Sequence, residues 1–313
     1  MAESSRGPFL SGGYPGQLLV KESIGSSRTI WTDLANLGLR ERLTADRNYY
    51  VSPSGSDSNT GMPASSPFKT IQKAIDTVTT LDLGGKKVDI NIADGTYNEA
   101  LILPPLVGDR GKTGNIPFNL YDDSSVSLVG NVASPSNVNV QGPPELGAVS
   151  ITCQGNGWHL TGLEVKAPVN SYVMCIVIDG PYELLLGQLN ISNSGASTFA
   201  YGIVAQKTGV CINTGQEIRF FGTLWHEVLT CLEGGRMVIP GVMAVNNNPA
   251  IASAFCHAAL GAGVTLTQVI SGTATGKRYN VTHNAVIVTD GVATFFPGSI
   301  AGTATLGGLY AGP

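Results

Sequence analysis

Residues 175–205, CIVIDGPYELLLGQLNISNSGASTFAYGIVA, contain one full copy of a pattern that repeats along the second half of the chain. A short apolar segment at 175–178 returns at 203–205, and corresponding segments start at positions 151, 176, 203, 231, 255 and 281. These starts are 24 to 28 residues apart. A nearly constant period of this length is typical of a solenoid, in which each coil stacks on the next.

Additional short strands indicate which kind of solenoid this is. Several units hold a second apolar stretch after a Gly or Asn turn, as at 158–165 and 236–239. Two or three short strands per coil favour an all-β fold, a β-helix, over a leucine-rich or helical repeat. An ordinary β-sandwich stays open as an alternative, because strands every 8 to 12 residues also describe that fold.

One strong helix signal lies upstream of the repeats. Ser65 and Ser66 precede Pro67, which places a hydroxyl N-cap before a proline at the first helical position. The predicted helix runs over about 67–79, and apolar residues recur along it at spacings of three and four: Phe68, Ile71, Ala74, Ile75 and Val78. Because such a helix can cover the open strand edge of the first coil, we expect it to be an N-terminal capping helix.

Domain boundaries follow from changes in composition. Residues 1–47 begin with a stretch rich in Gly, Ser and Pro and hold too few apolar residues to bury a core. We expect them to form an extended arm that orders against a partner or against other copies of the chain, with a disordered leader as the alternative. The β-helix is predicted over 48–295, and the tail at 296–313 is expected to close its far end through contacts between chains.

The composition of the 313-residue chain excludes several classes of protein. Charged residues make up only 13% and the formal net charge is −4, so charge-driven disorder and nucleic-acid binding are not expected. Residues 131–313 hold only 8 acidic and 6 basic residues, so this part either has a neutral polar surface or is covered by other chains. The sequence shows no secretory signal and no run of apolar residues that could span a bilayer, so we expect synthesis in the cytosol without membrane insertion.

Three motifs resemble the opening of pectate-lyase-like, right-handed parallel β-helix proteins: 49–61 (YYVSPSGSDSNTG), 67–75 (PFKTIQKAI) and 92–97 (IADGTY). They are most similar to the version found in bacteriophage tailspikes and fibres, and the segment from 276 to 298 is similar to tails of such proteins. The resemblance implies a parallel homotrimer that is made in the bacterial cytoplasm and located in the virion. It further implies that residues 1–47 attach to other virion structural proteins and that a host surface glycan is the ligand.

Few groups in the second half could carry chemistry. Polysaccharide-cleaving members of the resembled family use two carboxylates that flank the glycosidic bond, or calcium-binding acids with a basic residue. The acids after residue 130 form no DxD or DxxD cluster, so the sequence predicts neither a metal site nor a cofactor. Five widely spaced cysteines without a CxxC pair are expected to be buried free thiols.

The sharpest local candidate for a site is Trp225-His226-Glu227, an aromatic ring beside an imidazole and an acid. Trp225 and His226 are candidate ligand-binding residues, since an aromatic face can stack on a sugar. If the protein is an enzyme, Glu227, Glu233 and His226 are the candidate catalytic residues. Packing or a contact between chains is the alternative, because Trp225 and Glu227 would share one face of a strand. His257, among alanines, is expected to be an interior histidine.

Three functions remain open at the level of sequence. The favoured one is a non-enzymatic virion protein, a short trimeric spike or fibre involved in attachment to the host cell surface. The second is a tailspike depolymerase that cleaves capsular or lipopolysaccharide glycans as a hydrolase or lyase. The third is a bacterial pectin-lyase-like surface protein, against which the missing signal argues. The chain is short for an enzyme of the resembled family, which favours the first.

Overall fold

The computed structural model describes residues 17–21, 28–33, 40–109, 124–195, 199–268, 270–291 and 294–312. Within the predicted arm, two described segments pair as an antiparallel hairpin, β1 (Gln17–Lys21) and β2 (Thr29–Asp33). Residues 1–16, 22–27 and 34–39 of that arm lie outside the described residues. Strands are numbered in chain order throughout.

Beyond the hairpin, the strands form three parallel sheets. The first sheet consists of β3 (Arg47–Val51), β4 (Val88–Ile92), β7 (Val126–Val129), β10 (Trp158–Thr161), β13 (Glu183–Leu186), β16 (Val210–Asn213), β19 (Arg236–Ile239), β22 (Gly263–Leu266), β26 (Val286–Thr289) and β28 (Leu309–Ala311). The second consists of β5 (Gly95–Asn98), β8 (Val138–Gln141), β11 (Leu163–Lys166), β14 (Leu189–Asn193), β17 (Ile218–Gly222), β20 (Met243–Val245) and β23 (Ile270–Gly272). The third consists of β6 (Leu101–Leu103), β9 (Ala148–Cys153), β12 (Tyr172–Asp179), β15 (Phe199–Gln206), β18 (Leu224–Cys231), β21 (Ala250–Ala258), β25 (Tyr279–Val281) and β27 (Thr303–Ala304), with β24 (Thr275–Gly276) paired to β21.

The order of the strands defines the architecture. Each coil contributes one strand to each sheet, and every strand pairs in parallel with the equivalent strand of the next coil. Parallel neighbours of this kind require a crossover through the other two sheets, which a β-sandwich made of hairpins does not have. The chain is therefore an all-β, right-handed-type parallel β-solenoid, and the sandwich alternative is excluded.

The period predicted from the sequence matches the observed pairing of the strands β9, β12 and β15. Ile151 pairs with Ile176, and Ile176 pairs with Ile203, as the period predicts. The same column continues through Leu229, Cys256 and Tyr279, so the starts predicted at 231, 255 and 281 are off by one or two positions. The register between β18 and β21 shifts after Trp225, and a shift of this kind cannot be seen in a simple period.

Inward side chains stack coil on coil into one apolar core. Ile151, Ile176, Ile203 and Leu229 are fully buried, and each contacts the equivalent residue of the next coil rather than a distant part of the chain. The cysteines are placed in the same interior: Cys153, Cys175, Cys211, Cys231 and Cys256 are all free and buried, as predicted.

The α-helix begins later than the sequence predicts. Helix α1 spans Ile71–Thr79 with Thr70 as its N-cap, rather than starting at Pro67. Phe68 instead bridges to Val51 of β3 in an extended conformation, and Asp57 accepts hydrogen bonds from the backbone of Lys69 and Thr70. These contacts hold the residues before Ile71 out of the helix.

The predicted apolar face of α1 is confirmed in the helix itself. Its buried residues are Ile71, Ala74, Ile75 and Val78, and the helix contacts β3, β4 and β6 of the first coils. The other helical segment among the described residues is a short 3-10 turn at Pro135–Asn137. No helix in the described ranges is long and apolar enough to cross a membrane.

The far end of the chain continues the solenoid. Strand β27 extends the third sheet beside β25, and β28 extends the first sheet beside β26. Phe296 is fully buried and packs near Phe255, Tyr279 and Tyr310. The boundary predicted at 295/296 therefore falls inside the last coils.

Candidate functional site

The outward face of the third sheet carries aromatic rings beside a cluster of polar side chains. Strands β12, β15, β18 and β21 stack in register, so equivalent side chains of successive coils become neighbours. One column contains Tyr201 and Glu227, and the next contains Thr230 and His257. Residues that are 26 to 27 positions apart in sequence thus meet on one surface.

An aromatic row lies near the start of these strands. Tyr172 and Phe199 are register partners on β12 and β15, and they are 41% and 43% exposed. The ring centroids of Tyr172 and Tyr201 are 5.5 Å apart. His226 extends the row onto β18, with its ring centroid 4.8 Å from that of Phe199 and 5.1 Å from that of Tyr201. The row presents aromatic faces and edges across three successive coils.

Glu227 is the centre of a polar cluster beside this row. Its Oε1 atom accepts a hydrogen bond from Ser253 Oγ at 2.8 Å and lies 2.9 Å from His257 Nδ1. Its Oε2 atom accepts a hydrogen bond from Thr230 Oγ1 at 2.7 Å. The Glu227 side chain is almost completely buried, whereas His257 is partly exposed. These three polar partners therefore offset the free-energy cost of removing this carboxylate from water.

The electrostatics of Glu227 favour the carboxylate form. Burial alone would raise its pKa, but the hydrogen bond and charge of His257 outweigh this effect, with further hydrogen bonds from Thr230 and Ser253. The pKa of Glu227 therefore lies below its usual value, and the group is ionised at neutral pH. In that state it accepts hydrogen bonds and has no proton to donate.

His226 is a neutral imidazole in this setting. Burial lowers its pKa below the usual value, and Glu227 opposes this shift only in part. Its Nδ1 atom is buried and has no hydrogen-bond partner within the part of the chain that the structure describes. His226 thus contributes mainly as a ring that packs on Phe199 and Tyr201.

Trp225 points away from this surface. Its side chain is fully buried and packs edge-on against Phe220 in the core, with the ring centroids 6.3 Å apart. The two side chains have different surroundings, although the sequence places them on one strand face, and the pairing of β18 with β21 shifts between them. The ring of Trp225 is not presented to a ligand, and its contacts are those of the packing alternative.

Glu233 lies in a different environment from Glu227. It occupies an exposed turn after β18 with a positive φ of 52°, where its backbone carbonyl accepts a hydrogen bond from Thr208. The groups that shift the pKa of Glu227 are its burial, His257, Thr230 and Ser253, and none of these is a second carboxylate. The structure thus joins Glu227 to His257 and does not join it to Glu233.

The described residues hold no metal cluster or charged pocket that competes with this face. Among the described residues, no group of three or more His, Cys, Asp or Glu side chains could hold a metal ion. A surface depression of about 620 Å³ near the first coils is lined by uncharged residues, including Tyr50, Ser54, Asn59 and Asn91. None of the candidate residues of the third sheet lines it.

Several members of the site were missed by sequence reasoning. Tyr172 and Phe199 occupy equivalent places in successive repeats and Tyr201 lies two residues after Phe199, so aligning 172–179 with 199–206 would have revealed the aromatic row. Ser253 and His257 lie 26 and 30 residues from Glu227, and only the stacking register brings them to it. His257 is not the interior histidine that the sequence predicts: it is partly exposed, and its polar partner is Glu227.

These features define a parallel β-solenoid with an aromatic and polar outer face. Residues 53–219, more than half of the chain, match the family described as "protein of unknown function (DUF1565)", and the chain belongs to that family. Comparisons with curated proteins and with solved structures give no match.

Proposed function

We propose that the chain is a structural protein of a phage virion, a short trimeric spike or fibre that binds glycans of the host cell surface. The solenoid supports this proposal because a stack of coils forms a rigid, elongated body with long lateral faces. The motifs at 49–61, 67–75 and 92–97 support it through their resemblance to tailspikes. The low charge of residues 131–313 is consistent with surfaces covered by other copies of the chain.

The aromatic row is the observation that carries glycan binding. Tyr172 and Phe199 expose flat apolar rings, which suit the CH-rich faces of sugar rings. Polar groups flank the row, including Glu227 and His257 in the middle of the face and an ion pair between Lys207 and Asp179 further along it. Such a mixture of apolar rings and hydrogen-bonding groups is typical of sites for polyhydroxylated ligands.

Binding is favoured over cleavage by the state of Glu227, the buried acid of this face. Hydrolysis of a glycosidic bond by two carboxylates needs one of them as a protonated general acid. The lowered pKa of Glu227 keeps this group ionised, and its polar neighbours are His257, Thr230 and Ser253 rather than a second acid. The partly exposed His257, which Glu227 holds in place, is then the group of this cluster that a sugar hydroxyl can reach.

The remaining parts of the chain have roles within the same proposal. Residues 1–47 attach the spike to other virion proteins. Helix α1 caps the solenoid, since its apolar face packs on β3, β4 and β6. The protein is located in the virion after synthesis in the bacterial cytoplasm, and an antibody applied to particle and cell fractions of the source culture tests this location.

A depolymerase is the second candidate, and one observation favours it. His257 holds Glu227 through Nδ1 and is itself partly exposed, so a bound sugar could reach the imidazole. Cleavage of host polysaccharide by the wild-type chain, abolished in Glu227→Gln or His257→Gln and kept in Glu233→Gln, would favour this candidate. Intact polysaccharide after prolonged incubation with wild type favours binding alone.

Glycan binding is tested by titrating the full chain with capsular and lipopolysaccharide oligosaccharides from the host. We expect Phe199→Ala and Tyr172→Ala to weaken binding about tenfold or more, because stacked aromatic rings contribute over about 1.4 kcal/mol at binding hot spots. Phe221→Ala is the matched control, since Phe221 is a partly exposed aromatic residue on β17 of the second sheet. Equal affinity of all three variants and wild type would remove the aromatic row as the site.

A further inference from the structure

The surface depression of about 620 Å³ near the first coils lies on the outward side of the first sheet. Part of its lining is a column of register partners on β3, β4 and β7, namely Tyr50, Asn91 and Val129. Most of the rest comes from the loop at 52–67, between β3 and helix α1. We call this surface the first-coil depression. It is separate from the aromatic row, which lies on the third sheet.

The loop that completes the lining is fixed to the solenoid by backbone contacts. Tyr50 N–H donates a hydrogen bond to the carbonyl of Gly61 at 2.8 Å, and Ser52 N–H donates one to the carbonyl of Phe68 at 2.9 Å. Gly55 lies so close to Phe68 that a Cβ atom at this position would stand 2.3 Å from the carbonyl oxygen of Phe68. The shape of the first-coil depression is therefore set by the fold, which reduces the entropy lost when a ligand binds.

The charge of the lining limits the class of ligand. Within the described residues, none that lines the first-coil depression is charged at neutral pH. Asp94 follows the lining residue Ala93, and its carboxylate already accepts hydrogen bonds from the side-chain amides of Asn131 and Asn137, each at 3.0 Å. An anionic ligand would thus lose its hydration here without meeting a cation, and a cationic ligand would meet no free carboxylate in the lining. An uncharged ligand fits best.

Several polar atoms of the lining keep free hydrogen-bonding capacity. Asn59 and Asn91 use their Nδ2 atoms to donate to the carbonyl of Pro67 and to Asn48 Oδ1, respectively. The Oδ1 atoms of these two lining residues have no partner in the part of the chain that the structure describes, and neither do the hydroxyls of Tyr50 and Ser65. Amide oxygens only accept hydrogen bonds, whereas hydroxyls both accept and donate. The lining therefore suits a ligand with several hydrogen-bond donors.

We propose that the first-coil depression is a second binding site, which takes a short, uncharged saccharide, either free or as the end of a longer glycan. A sugar unit carries several hydroxyl donors and no charge, and its CH groups can pack on the partly exposed ring of Tyr50. The volume lies within the range of about 300 to 1,000 Å³ that is usual for small-molecule sites. This inference goes beyond the proposed function, because other residues on another sheet carry it.

The test uses the full chain with the double substitution Tyr172→Ala and Phe199→Ala, which removes the aromatic row. The probes are the methyl glycosides of glucose, galactose, mannose and N-acetylglucosamine, with maltose, cellobiose and lactose, titrated to millimolar concentration and followed by saturation-transfer NMR. Host capsular and lipopolysaccharide oligosaccharides form a second arm, which distinguishes the end of a glycan from a free sugar. We expect binding in at least one arm. No binding of any probe in either arm would overturn the proposal.

Two substitutions that remove only a hydroxyl test the lining itself. In the same background, Tyr50→Phe and Ser65→Ala should each weaken binding about two- to tenfold, because each removes one hydrogen bond to the ligand. Ser58→Ala is the matched control, since Ser58 is an exposed serine of the same loop that does not line the depression. An affinity that both Tyr50→Phe and Ser65→Ala leave unchanged would overturn the proposal.

Two further measurements check the place and the charge preference of the site. The backbone amide signals of Gly55, Asn59 and Asn91 should shift most when the best probe is added, and shifts confined to other parts of the chain would overturn the location. The methyl glycosides of glucuronic and galacturonic acid should bind more weakly than the best neutral probe, because the lining offers no cation to their carboxylates. Equal or tighter binding of these acids would overturn the assignment of an uncharged ligand.

The outcomes separate this inference from the proposed function. Host oligosaccharides that bind the wild-type chain, and bind it equally well after Tyr172→Ala and Phe199→Ala but more weakly after Tyr50→Phe, would support the first-coil depression and remove the aromatic row. Binding that is lost with the aromatic row, and that leaves no binding of any probe behind, would keep the row and overturn the first-coil depression.

Discussion

The imidazole Nδ1 of His257 lies 2.9 Å from Oε1 of Glu227, and the two residues stand 30 positions apart on neighbouring strands of the third sheet. Because Glu227 is a buried carboxylate held by this contact, the stability of the folded chain depends on pH. Because folding lowers the pKa of Glu227, the unfolded chain binds more protons at acidic pH than the folded chain does. The contribution of Glu227 to the free energy of unfolding is present above the pKa of about 4.3 that it has in the unfolded chain, and it is lost as the pH falls through the lower pKa of the folded chain.

Replacing Glu227 by Gln should therefore flatten the acid side of the stability profile. At neutral pH we expect Glu227→Gln to lower the free energy of unfolding by about 1 to 3 kcal/mol, because charge-assisted hydrogen bonds are lost. Urea unfolding at a series of pH values from 2 to 7 measures both effects. Glu233→Gln, in an exposed turn, is the control and should leave the profile close to that of wild type. The interpretation is wrong if Glu227→Gln keeps the full acid dependence.

The N-cap of helix α1 distinguishes the structure from the sequence-based expectation. Thr70 Oγ1 accepts a hydrogen bond from the backbone N–H of Lys73, so Thr70→Ala should cost about 0.5 to 2 kcal/mol in thermal or urea unfolding. Ser66→Ala removes the hydroxyl predicted to cap a helix at Pro67 and should have little effect. A larger loss in Ser66→Ala than in Thr70→Ala would move the start of the helix back toward Pro67.

Asn213 fixes a turn between the first and second sheets. Its side chain is fully buried, donates hydrogen bonds to the carbonyls of Leu186 and Gln216, and accepts one from the N–H of Gly215. We expect Asn213→Ala to lower the free energy of unfolding by about 2 to 4 kcal/mol, because several buried backbone groups lose their partners. Asn98→Ala, at an exposed position of β5, is the control, and comparable losses in both variants would contradict the role of the turn.

The buried cysteines should be chemically inert in the folded protein. Burial raises the pKa of Cys153 to about 11 and that of Cys231 to about 12, so neither is a thiolate at neutral pH. A thiol reagent should therefore react slowly with the native chain and with all five cysteines after unfolding in guanidinium. Rapid labelling of any cysteine in the native state would show that its surroundings open.

The sequence predicts the fold better than the site because the two depend on different kinds of information. Stacking is a repeated local pattern, and Ile151, Ile176 and Ile203 reveal it directly. The start of α1 depends on Asp57, which lies outside the helix and holds Lys69 in place, so helix propensity alone misplaces it. Helix signals describe neighbours along the chain and not contacts such as this one.

The candidate site depends on register in the same way. Trp225 lies in the core and Glu227 in the polar cluster, which simple strand alternation does not predict, and the pairing with β21 shifts between the two residues. The partner of Glu227, His257, is identified only when the coils are aligned with that shift included.

Stacking by equivalent neighbours also sets how the molecule responds to force. The hydrogen bonds between coils run along the solenoid, so tension applied along its length loads them one coil at a time. Pulling from one end would therefore peel the chain in steps, each releasing one repeat of 24 to 28 residues. Fully extended, such a repeat adds about 90 Å of contour length per step.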